Sequence, residues 1–155
     1  MTLQNGAALA LVAVGAAGLV HRERHNWQHN EAAVMGDQLA WLTHLTTHPD
    51  FAQFWKPKDL EVEESIELLH VNQQICALLL RHRLGLSRGR RLCFCAGAVV
   101  KSECGRTYGE RFGSFCEAEA DGDRPAGGFT DTMHDARARA AENSNAPKSA
   151  VLVGE

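Results

Sequence analysis

Histidine and cysteine carry the reactive chemistry of this 155-residue chain, which holds eight of the first and five of the second. His21, His25 and His29 recur every four residues and so share one face of any helix that contains them. A histidine pair at that spacing can ligate Zn²⁺ or another divalent ion, which makes these three the metal candidates. Position 22 is Arg, so the His-Glu-x-x-His pattern is not formed, and cationic neighbours oppose a nearby metal. The plainer reading is a hydrated basic segment. His44 and His48 repeat the spacing, but Pro49 ends the helix there.

Cys93 and Cys95 stand two apart. On a helix, side chains at that separation point about 200° away from each other, so the two thiols cannot chelate one ion. No Cys-x-x-Cys occurs among Cys76, Cys93, Cys95, Cys104 and Cys116, whose odd number fits reduced thiols better than a disulfide scaffold. Cys76 and Cys95 read as small apolar core residues. Ser87, Ser102 and Ser114 lie in no nucleophile-elbow sequence, and Gly105-Arg106-Thr107-Tyr108-Gly109 lacks the lysine of a phosphate loop. No catalytic residue and no cofactor is therefore expected.

One basic patch stands out, Arg81, Arg83, Arg88, Arg90 and Arg91, with no carboxylate from residue 81 to 91. It is the candidate contact surface, suited to anionic lipid headgroups, nucleic-acid phosphates or an acidic partner, against the plainer reading of a solvated helix end. The net charge of -3 gives the whole chain no bias toward polyanions.

These residues must be held by helices. Trp27, Val34, Trp41 and Leu45 lie on one stripe of a long amphipathic helix over about 21–46. Thr47-His48-Pro49-Asp50 opens a short helix carrying Phe51, Phe54 and Trp55, which Pro57 ends. Asp59 is a candidate N-cap for a helix running to about Leu84, acidic at its start, basic at its end and closed by Gly85. Ser87 is a candidate cap for the next helix, which stops near Gly105, and Tyr108–Glu119 forms another. Residues 121–128 compose a loop, Thr130 starts the last helix and 143–155 read as a disordered tail. The expected core is Trp41, Phe54, Trp55, Ile66, Leu69, Leu79 and Val99.

Ahead of all this, residues 6–20 form an unbroken apolar run. As a helix it covers about 22 Å, against a hydrocarbon core of about 30 Å. Met1 and Leu3 extend it to about the shortest length that spans a bilayer. A cleaved leader would want a basic residue before the run and a small-x-small site after it, and neither is present. Arg22 and Arg24 follow the run instead, the flank that keeps the C-terminal side in the cytoplasm.

His48-Pro49-Asp50-Phe51 with Trp55, Val71-Asn72-Gln73, and Gly105-Arg106-Thr107-Tyr108 occur in an order that resembles an uncharacterised family of small actinobacterial proteins with an N-terminal hydrophobic segment. The resemblance covers about residues 7–141, with Tyr108 or Phe112 where the family tends to have tryptophan. It implies a helical fold and a bacterial source, and no mechanism.

The expected fold is all-α: an N-terminal membrane anchor, residues 1–20, ahead of a bundle of four to six helices over 21–142 and the tail. The expected function is a non-enzymatic, membrane-tethered cytoplasmic interaction or regulatory module, single-pass in the cell membrane, with a protein partner and room for a homo-oligomer. Two alternatives are a metal- or thiol-dependent enzyme or sensor built in the bundle, and a nucleic-acid-binding helical protein.

Overall fold

A computed structural model describes the backbone of residues 3–145 and the side chains of residues 13–143. Among the described residues the chain is all-helical, in the order α1 (Leu3–Thr47), α2 (Pro49–Trp55), α3 (Val62–Arg83), α4 (Gly89–Lys101), α5 (Glu103–Ala120) and α6 (Arg124–Asn145). It divides into two compact units, Met1–Gln38 and Leu39–Glu155.

In the first unit the α1 side chains Val14, Leu19, Val20, Trp27 and Val34 are exposed. The expected membrane-spanning helix is not found: no helix among the described residues is long and apolar enough to cross a membrane. Ala and Gly dominate the apolar run, and Arg22, Glu23 and Arg24 interrupt it one turn after Leu19. The side chains of residues 6–12 lie outside those described.

The second unit is a helical bundle whose core joins Leu60, Leu68, Val71 and Leu78 to Leu92, Ala96, Val99 and Val100 of α4, Tyr108 of α5, and Phe129, Met133 and Ala136 of α6. Val99 is buried as expected, and Leu79 packs against this cluster from its edge. Trp41, Phe54 and Trp55 are not core: they are 44%, 79% and 64% exposed. α2 has only seven residues and buries only Ala52, too little surface to draw its aromatic rings inward. Ile66 and Leu69 are half-buried, because α3 is turned so that Ser65, Leu68, Val71, Cys76 and Leu78 face inward.

Local chemistry explains the helix ends. α3 starts after Glu61, and its first turn carries Glu63 and Glu64 while its last carries Arg81, His82 and Arg83, the order that suits the helix dipole. Asp59 does not cap it; its carboxylate pairs with Arg111 of α5 instead. At the other end Gly85 takes φ 77°, with Leu86 N–H donating to Arg81 O at 2.8 Å and Gly85 N–H to His82 O at 2.9 Å. This is a Schellman closure. The N-cap of α4 is Arg88 rather than Ser87, and Ser87 is buried with its hydroxyl unpartnered.

α5 begins at Glu103, earlier than expected, because Ser102 Oγ accepts the Gly105 N–H at 3.0 Å. α6 begins at Arg124 rather than Thr130, with Asp123 Oδ1 accepting the Ala126 N–H at 3.4 Å and Pro125 in the first turn. Much of the expected loop 121–128 is therefore helix. α6 also takes in residues 143–145; the rest of the expected disordered tail lies outside the described residues. Arg83 pairs with Asp123, so α6 starts where α3 ends.

Candidate functional site

The Schellman turn that ends α3 decides what the basic segment presents. With Arg81 O occupied by both Leu86 N–H and Ser87 N–H, the chain reverses tightly, and His82 Nδ1 donates to the Ser87 carbonyl at 3.1 Å. That carbonyl has no proton to give, so the ring must carry its hydrogen on Nδ1. Pinned in this way, the turn leaves Leu86 66% exposed and Arg88 exposed, the Arg88 guanidinium folded over Gly85. A Cβ at Gly85 would stand 2.8 Å from Arg88 Nη2, the free end of an exposed side chain that can swing aside, so it is the positive φ that calls for glycine here.

α4 continues the surface. Its inner side is Leu92, Ala96, Val99 and Val100, all buried, and this fixes Arg90, Arg91, Phe94 and Lys101 outward, with Phe94 78% exposed. Residues 90 and 94 are one turn apart and 94 and 101 two turns apart, so they share a face. From Arg81 to Ser102 the chain has six Arg and Lys side chains and no carboxylate. Of the five sequence-predicted arginines, Arg81, Arg88, Arg90 and Arg91 are exposed, whereas Arg83 is engaged by Asp123 and half-buried. Guanidinium groups take phosphate oxygens in a bidentate fork, and Phe94 and Leu86 add apolar surface between them. These two and Lys101 were not among the sequence candidates, although the four-residue spacing from Arg90 to Phe94 and the seven-residue spacing from Phe94 to Lys101 already placed both on the outer face.

The histidine candidates His21, His25 and His29 are exposed on α1. Among the described residues no three His, Cys, Asp or Glu side chains come together as a metal site requires.

The cysteines scatter over three helices and both burial extremes: Cys76 is buried and Cys93 exposed. Burial, with smaller contributions from Glu119 and Cys116, pushes the Cys76 thiol up to about 11. Cys104 Sγ donates to Glu67 Oε2 at 3.2 Å, and that bond to a carboxylate raises its pKa. Both thiols keep their protons at neutral pH, and the thiolate is the nucleophilic form. Tyr108, raised by burial and then by Cys116, donates its hydroxyl to Asn72 Oδ1 at 2.9 Å and ties α5 to α3.

Two further surfaces were not among the sequence candidates. An open groove of about 830 Å³ between α5 and α6 is lined by Ser114, Glu117, Asp131 and His134 among others, with His134 Nε2 and Glu117 Oε1 2.6 Å apart. Seventeen residues separate that pair, so no local motif reports it. Trp41 and Trp55 meet edge to face at 5.4 Å, and His44 lies 4.3 Å from His48 and 4.9 Å from Phe51 between ring centres. Edge-to-face contact is a favoured geometry for aromatic rings. Comparison of the chain with protein-family profiles, with curated proteins and with solved structures returned no match.

Proposed function

We propose that this protein is a non-enzymatic interaction module that residues 6–20 hold at a membrane, with the helical bundle on the cytoplasmic side. The observation that carries this reading is the exposure of Val14, Leu19 and Val20, large apolar side chains on a helix that gives them no partner in the first unit. Contiguous apolar surface of this kind is stable only when something covers it, and lipid covers a helix that is apolar all round. Since no helix among the described residues is long and apolar enough to cross a membrane, the reading calls for insertion from one side rather than a full span. Arg22 and Arg24, directly after the run, favour the anionic cytoplasmic leaflet.

Flotation of the full chain with neutral phosphatidylcholine vesicles tests it. The wild type should rise with the vesicles, and the double variant Leu19→Lys, Val20→Lys should stay behind with an unchanged helical circular-dichroism spectrum. A wild type that remains at the bottom of the gradient overturns the tether.

A further inference from the structure

We infer that the outer face of α4 is a second lipid contact: Arg90, Arg91, Phe94 and Lys101, with Leu86 and Arg88 beside them, dock on an anionic membrane surface. The inference deepens the membrane reading and takes from it the kind of partner, but its residues belong to the other compact unit and it draws on different observations.

Charge is the first. The stretch from residue 81 to 102 holds six Arg and Lys side chains without one carboxylate, and of these Arg83 is engaged by Asp123. Clustered cations of this kind are drawn to the anionic headgroups of a membrane leaflet, each contributing about a fivefold gain in partition.

The second observation is what stands among the cations. Phe94 is 78% and Leu86 66% exposed, although α4 has a complete inner face without Phe94. Duplex or single-stranded phosphates alone would leave the Leu86 side chain in water. The boundary between headgroups and acyl chains takes both kinds of group at once, guanidinium at the phosphates and ring or isobutyl group a few ångströms deeper. α4 is about 20 Å long, a suitable length for a helix lying in that plane.

The test is sedimentation of the full chain with vesicles of phosphatidylcholine alone and of phosphatidylcholine with one-third phosphatidylserine, at low and at physiological salt. Wild type should prefer the anionic vesicles by about tenfold or more, and R90A with R91A should remove roughly 20-fold of that binding. The exchange R90K with R91K keeps the charge and should retain most of it. Phe94→Ser should weaken the anionic binding several-fold while Phe94→Leu does not, a split that a purely electrostatic contact would not produce.

Equal binding of wild type to both vesicle types overturns the α4 contact and leaves the N-terminal tether standing. Loss of all binding in Leu19→Lys, Val20→Lys with none in the α4 variants does the same. Preference for anionic vesicles that survives Leu19→Lys, Val20→Lys and disappears in the α4 variants supports α4, and the tether then stands or falls on flotation with neutral vesicles. Tighter binding to duplex DNA than to anionic vesicles, indifferent to Phe94→Ser, overturns the lipid assignment in favour of nucleic acid.

Discussion

Buried beside Asn72 and within reach of the charge on Glu119, Cys76 holds its proton up to about pH 11. In the unfolded chain the same thiol ionises near its ordinary value of 9.0. Its folded pKa is the higher one, so its contribution to stability is whole below about pH 9 and is lost as the pH rises toward 11. At pH 10.5 the loss should amount to about 2 kcal/mol. Tyr108, raised in the same direction, extends the loss to higher pH. Cys76→Ala removes the first contribution, so urea midpoints of wild type and variant, well separated at pH 7.5, should converge at pH 10.5; parallel pH profiles would show that Cys76 does not titrate with unfolding. That Cys76 is core was legible in the sequence, because it stands on the apolar face of the most regular helix. The exposure of Trp41 and Trp55 was not: a large ring is normally inside, and only the shortness of α2 and the pairing of the two indoles with each other keep them at the surface.

Between elements, two glycines of α5 separate by what their missing side chains would meet. A Cβ on Gly105 would lie 2.0 Å from the Val99 carbonyl oxygen, backbone that cannot yield without moving the end of α4. On Gly109 it would lie 2.6 Å from the Arg137 guanidinium, the free end of a flexible side chain whose buried Nε has no hydrogen-bond partner. Alanine favours a helix interior over glycine by about 1 kcal/mol. Gly105→Ala should therefore destabilise by about 2 kcal/mol net, the cost of forced repacking exceeding that gain. Gly109→Ala should be neutral or stabilise by up to about 1 kcal/mol as Arg137 swings out to water. Thermal melts of the two variants check this, and the same sign in both would refute the geometric distinction. Sequence signals at the element level served where cap and first turn agreed, as at Pro49 with Asp50 and at Gly85. Ser102 and Asp123 carried equally good cap chemistry, yet Gly105 and Gly127-Gly128 read as breakers and hid the helices that follow. The candidate site was legible to the same degree: its arginines form a run in sequence, whereas the removal of Arg83 by Asp123 depends on a contact across forty residues.

At the scale of the whole molecule, the buried core and the exposed apolar side chains from Val14 to Val34 lie in different stretches of chain. Every residue of the buried cluster, from Leu60 to Ala136, lies in the unit Leu39–Glu155, and so do the ion pairs Arg83 with Asp123 and Arg111 with Asp59. None of the large apolar side chains Val14, Leu19, Val20, Trp27 or Val34 of the first unit is buried. Side chains that stay in water on folding add nothing to the hydrophobic stabilisation, which is proportional to the area removed from it. A chain beginning at Leu39 should accordingly unfold in one cooperative transition within about 2 °C of the full-length midpoint, since a shift that small corresponds to less than about 1 kcal/mol for a domain of this size. The same chain should lose flotation with neutral vesicles and keep its preference for anionic ones, because Arg90, Arg91 and Phe94 remain. Differential scanning calorimetry together with the vesicle assays measures both properties on one sample. A midpoint lowered by ten degrees or more would mean that the N-terminal stretch of α1 is structural, and its apolar side chains would then need a protein surface, in place of lipid, to cover them.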